Sequence, residues 1–272
     1  MAIYTKEEAK QIMEKALSFS KADGCEINMS GSESGNIRYA RNTVTTSGHR
    51  SNQTLVVQAN FGKKSGTATI DEFDDKSLEK VVKRAEELAK LSPESPEFMD
   101  PMSGQTYDDS LTFNESTANI TPEYRAEVAE KSITPAAEKD VTAAGFFNDS
   151  SGFSAMLNSN GLFAYNKSTN MDFTVTMRTN DGTGSGWVTR DFNDVNKFDA
   201  AEASQVAIEK ALMSRNAKAI EPGKYTVILE PAASVGLLGN MGNAFNARTA
   251  DEGRSFMSKE GGGTKLGEKI VD

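Results

Sequence analysis

Hydrolytic chemistry near neutral pH draws on imidazoles, thiols or clustered metal ligands, and this chain is short of all three. It holds one histidine, His49, and one cysteine, Cys25. A single cysteine forms neither an internal disulfide nor a CxxC pair. A zinc site would have to draw its nitrogen and sulfur ligands from these two residues, which differ in type and setting. A Ser-His-Asp triad would have to use His49, yet that residue lies in a Thr/Ser/Gly/Arg-rich stretch and reads as a polar residue on a strand or turn. Cys25, between Asp23-Gly24 and Glu26-Ile27, reads as a small buried residue at a strand start.

Three glycine-rich stretches have the look of phosphate loops and fail on context. Gly62-Lys-Lys-Ser-Gly66 has Val57 where a P-loop needs its first glycine, and a Thr-rich strand follows it. Gly182-Thr-Gly-Ser-Gly186 leads into Trp187 and a strand, so no helix N-terminus meets a phosphate. Gly262 to Gly267 has the P-loop spacing, but Glu268 stands where the lysine belongs. All three are read as turns. A calcium loop at Asp191-Phe-Asn-Asp-Val-Asn fails at Val195 and lacks the central glycine. Asp251 and Glu252 could serve as acid and base, but a chain with 39 acidic residues offers many such pairs.

One helix is harder to set aside. Residues 231–247 carry Leu237, Leu238, Met241 and Phe245 on one face, and Gly236, Gly239, Asn240, Gly242, Asn243 and Asn246 on the other. Glycine costs about 1 kcal/mol in a helix interior, so three at a spacing of three predict a close approach to the backbone. Tight packing against a neighbouring element satisfies that expectation. So does a cleft floor on which Asn240 and Asn243 offer amides to a peptide or partner. The loop that follows, with Arg248, Arg254 and Ser255, either pairs its ions internally or lines the same cleft.

The elements that would position these groups repeat. Thr5 caps an amphipathic helix to Ser20, and short extended runs follow at Cys25–Met29, Asn36–Arg41 and Thr54–Ala59. A hairpin at Gly62–Gly66 enters Thr67–Ile70, and Asp74-Asp75 cap a second helix with Leu78, Val81, Val82, Ala85, Leu88 and Ala89 inward. Residues 91–120 hold three of the seven prolines, six acidic residues and no Lys or Arg, and read as a connector. The pattern then returns. A helix runs from Pro122 to about Lys139, and extended runs follow at Val141–Phe147, Phe153–Leu157, Leu162–Tyr165 and Met171–Arg178. A turn at Asp181–Gly186 precedes Trp187–Arg190, and a helix runs from Asp199 to Met213. Val56 to Gly62, then Gly66 and Phe73, match Val175 to Gly182, then Gly186 and Phe192, at an offset near 120.

The expected fold is therefore α+β: two similar helix-plus-antiparallel-sheet units followed by the start of a third domain. The expected boundaries are 1–92, a connector at 93–121, a second unit at 122–221, and an incomplete third at 222–272. That third piece opens with a buried strand, Lys224–Glu230, and Pro231 at a first helical position. A further strand is expected to begin near Asp272. The 272-residue chain has a net charge of −9, without the basic excess of a surface that binds duplex DNA or anionic lipid. It has no apolar run long enough to span a bilayer, and its charged N-terminus lacks a signal-peptide core. A cytoplasmic location is expected.

Several of these stretches resemble the TldD/PmbA family. Tyr225–Glu230, Gly236-Leu-Leu-Gly-Asn, Gly253-Arg-Ser-Phe and Lys265-Leu-Gly-Glu-Lys-Ile look like the start of that family's third domain. Arg38-Tyr-Ala-Arg-Asn and Asn158-Ser-Asn-Gly-Leu-Phe-Ala-Tyr resemble its first and second domains. The resemblance implies a cytoplasmic dimer that acts in peptide maturation and proteolysis, under the older label of modulator of DNA gyrase. In catalytic members the third-domain helix carries an HExxxH motif that binds metal. Aligned on Leu237-Leu238, those positions are Gly239, Asn240 and Ala244, which supply neither ligand nor base. The resemblance therefore implies a PmbA/TldE-like member with no catalytic residue, no metal and no cofactor, which pairs with a TldD-type catalytic subunit or with itself and meets a peptide. Gly239, Asn240, Asn243, Asn246, Arg248, Arg254 and Ser255 are its candidate peptide or partner cleft. Two alternatives stay open: a self-associating peptide-binding module without protease activity, and an enzyme whose active groups lie in a missing C-terminal part.

Overall fold

The computed structural model describes residues 3–108 and 110–269. The chain divides into two compact units, one up to Ala217 and one from Lys218 onward.

In the first unit, helix α1 (Lys6–Ser18) starts at a capping box: Thr5 Oγ1 accepts from Glu8 N, and Glu8 returns the bond to Thr5 N. Two very long strands follow, β1 (Gly24–Ala40) and β2 (Thr43–Phe61), then the short β3 (Lys64–Ile70) and helix α2 (Asp75–Leu91), capped by Asp74. A short helix α3 (Glu115–Ala118) lies late in the connector, and the pattern repeats. Helix α4 (Pro122–Glu138) precedes β4 (Val141–Asn158), β5 (Phe163–Thr179), β6 (Ser185–Phe192) and α5 (Ala200–Met213).

All six strands join one antiparallel sheet in the order β3-β2-β1-β4-β5-β6. The two repeats are thus fused along the β1–β4 seam, where Glu26 faces Asn158 and Tyr39 faces Gly145. The sequence reading breaks β1, β4 and β5 in two at Ser/Gly/Asn-rich stretches, around residues 30–35, 148–152 and 166–170, and takes up β2 only from Thr54. Ladder pairing on both flanks holds β1 and β4 extended through theirs.

Along β1, Cys25, Ile27, Met29, Ile37 and Tyr39 are buried, while Ser30 and Ser32 on the opposite face are exposed. Helices α1, α2, α4 and α5 cover that buried face and leave the other bare. Two cores result, and each borrows from the other repeat. Phe153, Ala155 and Leu157 of β4 complete the first, with Ala9, Met13, Leu55 and Val82; Ile37 and Tyr39 of β1 complete the second, with Phe147, Phe173 and Ile208. Gly66 and Gly186, aligned by the repeat, do the same job. A Cβ on either would lie 2.1 Å from helix backbone, at Ala89 N and Ala207 O respectively.

Between the cores lies a buried ion pair. Arg125 of α4 donates through Nε and Nη2 to the two Asp149 oxygens at 2.6 and 2.8 Å. Gly35, opposite Asp149 in the ladder, makes room for the guanidinium.

In the second unit, helix α6 (Pro231–Asn243) and helix α7 (Ala247–Asp251) are the regular elements. Residues 224–230 correct the sequence reading: they form no strand and are exposed, with Val227 70% and Ile228 96% accessible. An apolar β-branched run predicts a buried strand only where a neighbouring strand and a covering layer exist, and none is present among the described residues. The helix expected to reach residue 247 ends at Asn243. Its apolar face, including Leu237 and Leu238, is exposed. The strand expected near Asp272 lies outside the described residues. No described helix is long and apolar enough to cross a membrane.

Candidate functional site

The cleft residues expected in the second unit are all on α6, α7 or the loop after them, and most are engaged with their own neighbours. Asn240 Nδ2 donates to Gly236 O at 3.0 Å, one turn back. Asn246 caps α7, accepting from Thr249 N at 3.1 Å. Arg248 and Arg254 both bind the Glu252 carboxylate, Arg248 Nε at 2.9 Å, and together they hold that carboxyl below its usual range. Ser255 Oγ donates to Ala244 O and accepts from Met257 N. Of the two readings left open for that loop, internal ion pairing is therefore present. Asn243 is exposed on the last turn of α6. The crowding expected at the helical glycines is not found: a Cβ on Gly236, Gly239 or Gly242 would have nothing within 4 Å. Glycine spacing records what packs against a helix, and no described element packs there.

The donor set does not fit a catalytic zinc ion. Gly239, Asn240 and Ala244 offer no imidazole and no carboxylate. No group of three or more His, Cys, Asp or Glu side chains comes together among the described residues. Within the first unit, Cys25 opens β1, whereas His49 on β2 faces Gly35, ten ladder positions along. At about 3.3 Å per residue the two are about 33 Å apart. Burial raises the Cys25 thiol above its ordinary range, the opposite of an activated nucleophile.

A groove of about 820 Å³ lies at one end of the bare sheet face, a site the sequence reading missed. Asn28, Ser154 and Asn166, on the adjacent strands β1, β4 and β5, are among its walls. The connector also lines it through Gln105, Tyr107 and Phe113, and its charged lining is Lys6 and Lys167 with Asp108. Lys167 Nζ lies 3.8 Å from the centre of the Phe113 ring. Amides, hydroxyls, aromatic rings and ammonium groups suit binding of a polar chain. None of the lining residues is a histidine or cysteine that would activate a nucleophile.

The first- and second-domain motif residues stand at opposite ends of the β1–β4 ladder, the Asn158 stretch beside the groove and the Arg38–Asn42 stretch at the far end. Asn158 is buried at the β4–β5 turn, where Oδ1 accepts from Asn160 N and Leu162 N at 2.9 and 3.1 Å. Its Nδ2 donates to Met102 O at 2.8 Å, and Asn160 Nδ2 donates to Pro101 O at 2.7 Å. The turn thereby pins the connector. Further along, Thr169 N donates to Thr112 O at 2.9 Å, which lays the connector against β5. Arg41 and Asn42, both with positive φ, form the β1–β2 turn, and Asn42 Oδ1 accepts from Ala143 N at 2.6 Å. Tyr39 is buried and donates to Ser132 Oγ at 2.8 Å; burial pushes its hydroxyl up to about 12.

Beyond the groove on the same bare face, Asp172 and Asp191 stand directly opposite each other on β5 and β6. Burial and the facing carboxylate raise Asp172 above the usual carboxylate range, and Asn170 Nδ2 bridges the two at 3.1 and 3.3 Å.

Three family models match the chain in order. The PmbA/TldA metallopeptidase domain 1 covers residues 25–89, the central domain covers 115–215, and the C-terminal domain covers 222–272. Comparison with curated proteins gave no match. Among solved structures, TldE from Thermococcus kodakarensis superposes with a TM-score of 0.66 at 18% identity, over 75% of this chain and 47% of that one. A "putative modulator of a DNA gyrase" from Thermotoga maritima gives 0.71 at 15% identity, over 79% and 50%. Its counterpart from Bacteroides thetaiotaomicron gives 0.76 at 20% identity, over 97% and 61%. These likenesses establish a shared fold, and the chain spans about half to three-fifths of the length of each.

Proposed function

Because the chain belongs to the PmbA/TldD metallopeptidase family, we propose that it is a TldE-like, non-catalytic subunit that pairs with a TldD-type catalytic chain in peptide processing. The observation that carries this reading is the donor set on α6, with Gly239, Asn240 and Ala244 at the positions where catalytic relatives are expected to hold metal. No described cluster of ligands elsewhere replaces them. The fold shared with a TldE supports the same assignment. The subunit's contribution is a surface that guides peptide, built from polar side chains that donate and accept hydrogen bonds without reacting. It works in the cytoplasm and leaves nucleic acid alone, in keeping with its net charge of −9.

The test combines the purified chain with a TldD-type partner and follows cleavage of an unstructured peptide. Cleavage that requires both chains, with the metal held by the partner, is the expected result. Cleavage by the partner at the same rate without this chain would overturn the assignment. A second reading, a self-associating peptide-binding module, draws on the groove beside Asn28 and Asn166. It predicts peptide binding and dimerisation with no catalytic partner captured from native lysate.

A further inference from the structure

The sheet has two outer flanks related by the internal repeat, and within the described residues of the first unit the β2 flank is covered only in part. On the β5 flank, β6 pairs with residues 171–178, and the connector lies against the earlier part through Thr112 and Thr169. On the β2 flank, β3 pairs only with residues 55–61. From Thr43 to Asn52, β2 has β1 on one side and no described strand on the other, and every residue there is exposed.

The ladder fixes which backbone groups face outward. Leu55, Val57, Ala59 and Phe61 are the odd-numbered partners of β3, and the Phe61–Lys64 pair closes a two-residue turn, a hydrogen-bonded position. The β1–β2 register runs unbroken from Gln58 to Thr46. Bonding direction alternates along a strand, so Ser47, His49 and Ser51 present both N–H and C=O outward, whereas Thr46, Gly48 and Arg50 bond to β1.

Such an edge invites another strand unless proline, charge or a bulge blunts it. Residues 46–52 contain no proline and one formal charge, Arg50, and the bulge on β2, at Thr45 between the Thr46–Arg38 and Val44–Tyr39 pairs, lies just before them. Charge selects the occupant. Between Ser34 and Gly62 lie Arg38, Arg41 and Arg50 with no Asp or Glu, in a chain whose net charge is −9. A second copy docked edge to edge would bring two sets of these arginines together. An acidic strand would pair with them instead.

We propose that the outer edge of β2, from Ser47 to Ser51, is a docking site for an extended acidic peptide that adds to the sheet as a seventh strand. The outward N–H and C=O groups supply sequence-independent hydrogen bonds. Arg50 faces cross-strand acidic side chains on the bare sheet face, where such pairs approach to about 5 Å. The inference does not depend on the subunit role proposed above, because the isolated chain is sufficient.

The probe is a fluorescein-labelled peptide of about ten residues, alternating Glu and Thr, with a Lys-Thr peptide as its counterpart. Anisotropy with the full chain at low salt is expected to show the acidic peptide binding about tenfold more tightly or better. Ser47→Pro removes one outward donor without touching a backbone bond to β1, giving up there only the exposed bond from Ser47 Oγ to Asn36 O, and an edge strand tolerates proline at such a position. It should abolish binding and leave thermal unfolding in place. Arg50→Glu, which leaves the backbone intact, should reverse the preference between the two peptides. The proposal is overturned if neither peptide binds, if both variants keep the wild-type preference, or if sedimentation shows a dimer that Ser47→Pro dissolves.

Discussion

Gly35→Ala separates the role of the buried ion pair from every other contribution of that glycine. In a strand interior, replacing glycine by alanine normally stabilises by about 0.5–1 kcal/mol, because the unfolded chain loses freedom. Here the new Cβ would lie 1.9 Å from Arg125 Nη2, 2.0 Å from Cζ and 2.5 Å from Nε. The guanidinium has to leave, and Asp149, 6% exposed, stays behind without its partner. Breaking a buried pair from one side costs about 3–5 kcal/mol. For a unit of this size that is a drop of roughly 6–20 °C in Tm. Urea unfolding followed by circular dichroism gives the change, provided the slope against denaturant is unaltered. The decisive comparison repeats Gly35→Ala in a background carrying Arg125→Met and Asp149→Leu. Apolar replacement of both partners is often close to neutral, and in that background the alanine should cost far less. An equal cost in both backgrounds would refute the reasoning, and so would a stabilised single variant.

Three further outcomes follow from the geometry. Asp172 is held above its ordinary value by burial and by Asp191. The folded state therefore holds a proton that the unfolded state has released, and stability falls as pH rises through the interval above 3.8. Asp172→Asn should flatten that fall and raise Tm at neutral pH, with the gain vanishing toward acid in a pH series of melts. Asn158→Ala removes three hydrogen bonds from a buried turn, with an expected cost of about 1–3 kcal/mol. It should also open the connector near Met102 to limited proteolysis before the sheet unfolds. Gly66→Ala and Gly186→Ala should each cost about 1–3 kcal/mol by overpacking against helix backbone. Similar values measured in chemical denaturation would show that the two repeats use glycine alike.

Much of the first unit was legible in the amino-acid order, because local signals there agree with one another. Thr5 and Asp74 start helices as capping residues should. The offset near 120 aligns Gly66 with Gly186, and both pack on helix backbone. Cys25 is buried at a strand start. The scarcity of imidazole and thiol needed only the order of residues. Chemistry that depends on residue type is fixed once the residues are listed.

Long-range pairing decided the rest. Nothing local says that Asn148 to Gly152 continues a strand rather than turns, because the β1 ladder holds that stretch extended. Nor does local order show the two repeats sharing one sheet, the groove where the connector meets Asn28 and Asn166, or the capping of one sheet flank alone. Lys224 to Glu230 show the same principle in reverse. Its β-branched pattern is strand-like, yet a strand is a relation between neighbours, and no described neighbour pairs with it. Residue order set which chemical groups this protein can offer; the pairing of distant segments set where those groups stand.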